Sequence, residues 1–376
     1  MRKIIFRWNQ IKFIPWFLLF KFIGIFIKKK HWVIFERGVD ARDNGYFFYK
    51  YMKENHTEQK IYYIIDKHSA DYHKVAEDAI AYGSIKSCWV IATGEKLISS
   101  HYGTGIPYIN KKTFEFCGLN KNYYFLQHGI IKDKLTKLFG DAISVRLFVC
   151  GAEPEYNYVK ENFGHPEGVV QYTGLARYDS LHDFCAKDQI LIMPTWRYTL
   201  QDRTDIIDSV YFQQWQEILL NKRLEAFLEK NNMQLVFYPH FEIQKYIHNF
   251  KTESEYIKIA DFANYDVQTL LKESKLLVTD YSSVYFDFAY MKKPVIYFQF
   301  DRDEFFASHY QKGYFDYDTM GFGDVCFDVE NVVDSIIACV QNNFIPKECY
   351  ASRMGKFFPL NDTKNCERIY KSIIEL

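Results

Sequence analysis

At 376 residues the chain exceeds what one hydrophobic core usually serves, so two domains are the expectation. Its 47 basic and 47 acidic residues cancel, which excludes a generally basic nucleic-acid binder and shifts the weight to local patches. The eight cysteines are scattered without a CxxC pair in a chain large enough to need no staples; they read as reduced cytosolic thiols, not as a disulfide or metal framework.

The first segment, residues 1–30, holds an apolar run over 13–27 that is interrupted by Pro15, Lys21 and Gly24. Arg2, Lys3, Arg7, Lys12 and Lys28, Lys29 and Lys30 flank it. Fifteen residues fall short of the ~20 that span a bilayer. Lysines follow the run where a signal peptide would need a small-residue cleavage site. The pattern predicts a basic, aromatic segment lying in the cytoplasmic face of an anionic membrane, and hence a peripheral membrane location. The alternative is an ordinary helix packed on the first domain.

From residue 31 onward short apolar runs alternate with amphipathic stretches, the signature of a parallel α/β protein. Strands are predicted at 33–35, 61–65, 96–100, 123–126 and 147–150, with helices over 44–54 and 72–82. A second series begins near Gln189, with strands at 190–193, 235–238, 256–259, 276–279 and 295–300. Its helices are predicted at 215–231, 267–273, 284–291 and 332–341. Residues 174–188 form the junction, which divides the chain into domains 31–180 and 181–376, with the last helix placed to pack back on the first.

Open parallel sheets bind ligands beyond the carboxyl ends of their strands. Four strands end in polar clusters: Gln127-His128-Gly129, Pro194-Thr195-Trp196-Arg197, Pro239-His240 and Asp280-Tyr281-Ser282-Ser283. The last opens a helix, and serine at a helix start caps free amides and makes a site for anions. A lone histidine at a strand end is more often structural, but two histidines, an arginine and a serine-led helix in this order describe a cleft for a phosphorylated ligand.

The segment from Thr279 to Pro294, TDYSSVYFDFAYMKKP, together with Gln127-His128-Gly129, GLARYDSL over 174–181, PTWR over 194–197 and Pro239-His240, resembles the CDP-glycerol glycerophosphotransferases of teichoic acid and capsule synthesis. The resemblance covers roughly residues 120–310. It implies a GT-B-like fold, two Rossmann-like domains facing across a cleft, the first serving the acceptor and the second the nucleotide donor. It also implies transfer of glycerol phosphate, or a related polyol phosphate, from a CDP-activated donor to a hydroxyl of a lipid-linked or polymeric acceptor. The alternative is a GT-B glycosyltransferase using a nucleotide sugar, and a third possibility is a non-catalytic member of an export assembly.

On this resemblance His128 is the general base and His240 contacts the donor phosphates, helped by Ser282, Ser283, Thr195 and Arg197. Arg177 reads either as a phosphate ligand or as the partner of Asp179, and Gly129 supports the turn. Asp280 orients the serine turn, and Asp287 either holds the nucleotide ribose or is a solvated or Lys-paired helix carboxylate. No DxD pair is placed for a divalent cation, so neither a metal nor another cofactor is expected. The expected partners are a CDP-polyol, the acceptor and the membrane surface, with no nucleic acid.

Overall fold

The computed structural model describes residues 2–27, 31–102, 111–183, 185–201, 203–308 and 311–376. The chain forms two compact units. Residues 1–130, 136–180 and 362–376 make the first, and residues 131–135 and 181–361 the second.

The first unit carries a seven-stranded parallel sheet in the order β3-β2-β1-β4-β5-β6-β7. Its strands are β1 (His31–Phe35), β2 (Lys60–Ile65), β3 (Ala79–Ala81), β4 (Lys96–Ser99), β5 (Tyr123–Phe125), β6 (Leu147–Cys150) and β7 (Val170–Tyr172). The second unit carries a six-stranded parallel sheet in the order β10-β9-β8-β11-β12-β13. Here the strands are β8 (Gln189–Ile192), β9 (Gln234–Phe237), β10 (Ile257–Ile259), β11 (Leu276–Thr279), β12 (Val295–Phe298) and β13 (Gly323–Cys326). The inner strands β4, β6, β8, β11 and β12 are buried along their whole length, as continuous apolar runs in a doubly covered parallel sheet must be.

Three local expectations are corrected. The helix expected over 72–82 is a single 3-10 turn, Tyr72–Lys74, followed by β3, which pairs with β2 in the register Tyr63↔Ala79. An open edge of β2 captured a segment whose own periodicity was ambiguous. The helix expected over 215–231 is two helices, Val210–Leu219 and Lys222–Lys230. Asn221 between them has extended backbone, and its side chain caps the second by accepting from the Leu224 amide at 2.9 Å. Ser283 precedes the helix Val284–Tyr290 in helical backbone and makes no side-chain cap bond, so the serine cap expected there does not form.

The first segment forms the helix Arg2–Gly24, which includes Pro15. One face is buried through Phe13 and Phe17, and Phe20 meets Trp89 edge-on at 5.2 Å on the helix Ile85–Thr93. Gly24 lets the two backbones close: a Cβ there would stand 3.2 Å from the Thr93 methyl. Beyond that face Phe22 and Phe26 are 62% and 76% exposed. Among the described residues no helix is long and apolar enough to cross a membrane. The side chains of Arg2, Lys3, Arg7 and Lys12, and all of Lys28, Lys29 and Lys30, lie outside the described residues.

Candidate active site

In the first sheet the strand order reverses between β1 and β4, and such switch points are where open parallel sheets hold ligands. Beside this switch point, on the far side of β4, the chain leaving β5 turns sharply. Gln127 adopts a left-handed backbone with φ of +58°, a conformation that costs a non-glycine residue roughly 1–3 kcal/mol and persists only when its surroundings over-determine it. They do so here. The buried Gln127 amide donates to the Val149 carbonyl and to Glu155 Oε1 (3.2 Å), while Asn44 Nδ2 donates to the Gln127 carbonyl at 2.7 Å. The turn leaves Gly129 buried and the His128 ring exposed to solvent.

Arg177 completes the frame. Its amide donates to Asn44 Oδ1 at 3.0 Å, and its guanidinium donates to the His128 carbonyl at 2.7 Å and pairs with Asp43 at 3.2 Å. Arg177 therefore fixes the backbone of His128. It is not the partner of Asp179, which instead accepts from the amides of Asn365 and Cys366, both at 2.8 Å, and so caps the helix Asn365–Glu375. Glu36, fully buried at the end of β1, accepts from the amides of Arg42, Asp43 and Tyr46 and anchors the loop that presents Asn44. Burial, with Asp43 and Asp40 nearby, raises its pKa well above the usual carboxylate range.

The surrounding protein, and after it the charges of Arg177, Arg37 and Lys137, push His128 down to about 4. The imidazole is therefore neutral at pH 7, as a proton acceptor must be. One residue of this site escaped the sequence reading: His101, just past β4, whose ring stacks on His128 with centroids 5.0 Å apart and planes 18° apart. The strand-end rule that found His128 points to it as well.

In the second sheet the order reverses between β8 and β11, and the two predicted clusters meet there. Asp280 is fully buried and accepts from the Thr195 amide at 2.8 Å and from the Tyr281 amide at 2.6 Å. Thr279 Oγ1 donates to the Met193 carbonyl at 2.7 Å, a second tie between the same strand ends. Arg197 contacts Asp280 at 2.8 Å, an ionic contact lacking the alignment of a directed hydrogen bond, and grips Asp301 bidentately at 2.6 and 3.1 Å. The rings of Tyr211, Tyr281, Phe300 and Phe305 surround it at 5.0 to 5.8 Å. This corrects Arg197 as an open phosphate ligand, since its fork is spent on two carboxylates and two carbonyls. Burial opposes its charge, yet Asp280 and Asp301 more than offset that and raise its pKa.

His240 follows β9 and opens the 3-10 segment Phe241–Asn249. Its Nδ1 accepts from the Glu242 amide at 3.2 Å, which leaves the ring proton on Nε2 as a donor. Trp196 lies nearly parallel to the ring with centroids 6.2 Å apart, so the PTWR and Pro-His clusters also converge. Ser282 and Ser283 are half-buried at the adjoining turn. Asp287 is 2% exposed, which removes the solvated-carboxylate alternative. Among the described residues no group of three or more His, Cys, Asp or Glu side chains could hold a metal ion.

Residues 18–375 match the family described as CDP-glycerol:poly(glycerophosphate) glycerophosphotransferase. The chain is 34% identical over 369 residues to the minor teichoic acid biosynthesis protein GgaB of Bacillus subtilis, covering 94% of this chain and 40% of that protein. It is 24% identical to the teichoic acid poly(glycerol phosphate) polymerase of the same organism, covering 92% of this chain and 49% of the relative. It thus spans less than half of either relative. A solved structure of the wall teichoic acid polymerase TagF superimposes with a TM-score of 0.70 at 15% identity, covering 100% of this chain and 99% of that one, which shows a shared fold.

Proposed function

The chain belongs to the CDP-glycerol:poly(glycerophosphate) glycerophosphotransferase family, and from that premise we propose that it transfers glycerol phosphate, or a related polyol phosphate, from a CDP-activated donor to a hydroxyl of a lipid-linked or polymeric acceptor in teichoic acid or capsule synthesis. The observation that carries this reading is the neutral, exposed imidazole of His128 held on a strained turn beside a sheet switch point. In the reaction the acceptor oxygen bonds to the β-phosphorus as the bridging bond to CMP breaks. The hydroxyl proton passes to His128, and negative charge gathers on the departing CMP oxygen. His240 supplies its Nε2 proton as a donor to the phosphates, with the Ser282 and Ser283 hydroxyls beside the turn that Asp280 fixes. Asp287 is assigned to the ribose.

The test is purified protein offered CDP-glycerol, CDP-ribitol and UDP-sugars in separate reactions with a lipid-linked or oligomeric acceptor. CMP release is expected, and release of UDP alone would sink the assignment in favour of a glycosyltransferase. Donor binding through side-chain donors and backbone amides predicts that EDTA leaves most of the activity intact. Complete loss on chelation with rescue by magnesium would reject that.

The exposed aromatics of the first helix support attachment to the cytoplasmic face of the membrane. Because the same helix buries Phe13 and Phe17, its deletion would also uncover core, so surface substitutions test the idea more cleanly. Phe22→Glu with Phe26→Glu is expected to move the protein from vesicles containing anionic lipid to the supernatant while activity on a soluble acceptor persists. A double variant that sediments like the wild type would place the anchor elsewhere.

A further inference from the structure

We propose that His101 is a positioning residue for the transfer: its ring is a plate that fixes the plane of the His128 ring and shields one face of it from water. This rests on the assignment of His128 as base. The geometry is built from three sides. The His101 backbone is pinned where β4 ends, since its amide donates to Ser99 Oγ at 3.1 Å and its carbonyl accepts from Ser99 Oγ at 2.9 Å and from the Tyr123 hydroxyl. The ring is pinned at Nδ1, which lies 3.0 Å from Ser100 Oγ. The nearly parallel stack then sets the plane of the His128 ring from a residue 27 positions earlier in the chain.

The charges facing the pair decide which ring takes a proton. Arg37 bears on both histidines, and Arg177 and Lys137 bear on His128. Burial, His128 and Arg37 push His101 down to about 2, below His128 at about 4. His101 therefore stays neutral through any pH at which the reaction would be assayed, and His128 is the member that titrates. A plate that excludes water from His128 disfavours its charged form, so removing the plate moves His128 toward the ordinary histidine value.

His101→Ala is expected to lower kcat about tenfold with little change in the KM for donor, and to move the acidic limb of kcat/KM to higher pH. His101→Phe, which keeps a plate without an imidazole, is expected to restore both. Titration of His128 by NMR, assigned by difference against His128→Asn, should show the same upward move in His101→Ala. An unchanged His128 titration and acidic limb in His101→Ala, with His128→Ala inactive, overturns the positioning role. An active His128→Ala overturns the base assignment instead, and the NMR titration then still decides whether the plate shields the ring. Should His101→Ala fail to fold, His101→Asn carries the same measurements, since it keeps a polar group for Ser100 and removes the ring.

Discussion

His128→Ala is expected to lower turnover by about 10²–10⁴-fold, the range that a positioned general base contributes, while the thermal transition stays near that of the wild type. The second half of that statement follows from where the contacts are. The hydrogen bonds that hold this turn reach the backbone of Gln127 and His128 or the side chain of Gln127: Asn44 binds the Gln127 carbonyl, Arg177 binds the His128 carbonyl, and the Gln127 amide binds Val149 and Glu155. The imidazole itself is exposed. His240→Ala should be equally inactive, but its ring also accepts the Glu242 amide, and loss of a capping acceptor costs about 0.5–2 kcal/mol. His240→Asn separates the two effects, because asparagine can cap the same amide without offering the Nε2 proton. Rates like the wild type in either His→Ala variant would remove that residue from the mechanism.

Arg197→Ala should have the largest effect on stability, about 3–5 kcal/mol, because removing one partner of a buried pair leaves the other charge uncompensated. Asp280 and Asp301 would both lose their cation, and the cage of four rings would be left around a void. Arg197→Lys should recover little of this, since one ammonium cannot grip Asp301 bidentately and reach Asp280 together. The deficit should shrink as the pH falls. Burial raises Asp280 even with Arg197 and two amides opposing it, so without the arginine its pKa rises further and its protonation relieves the orphaned charge. Denaturant unfolding of wild type and variant at pH 7.5 and pH 5 reads the difference. A deficit that is equal at both values, or below about 1 kcal/mol, would mean that the cage is not what holds the Asp280 turn.

Much of this was legible in the chain because inner parallel strands are buried on both faces and so appear as unbroken apolar runs. Leu147–Cys150 and Leu276–Thr279 were read with both ends in place for that reason. The strands that escaped, Ala79–Ala81, Val170–Tyr172 and Gly323–Cys326, all lie at sheet edges. Their structure is dictated by the neighbour they pair with, and Gly-Asp-Val-Cys carries almost no pattern of its own. The site divided in a similar way. The rule that chemistry gathers at strand ends located His128, His240, Arg197 and Asp280, but it could not give Arg197 its task, because the decisive partner, Asp301, is 104 residues distant. The same distance problem hid the stack of His101 on His128.

The first unit is not a contiguous stretch of chain. Residues 362–376 belong to it, and Asp179 holds them through the amides of Asn365 and Cys366, while Arg368 Nε reaches the Thr173 carbonyl and Lys96 Nζ the Ile373 carbonyl. During synthesis the seven strands of this unit leave the ribosome early, yet the helix that satisfies Asp179 and Lys96 follows only after all of the second sheet has been made. The unit that bears His128 is thus begun before the second sheet and completed after it, so removing the helix Asn365–Glu375 would damage strands that lie on the far side of the second unit in sequence.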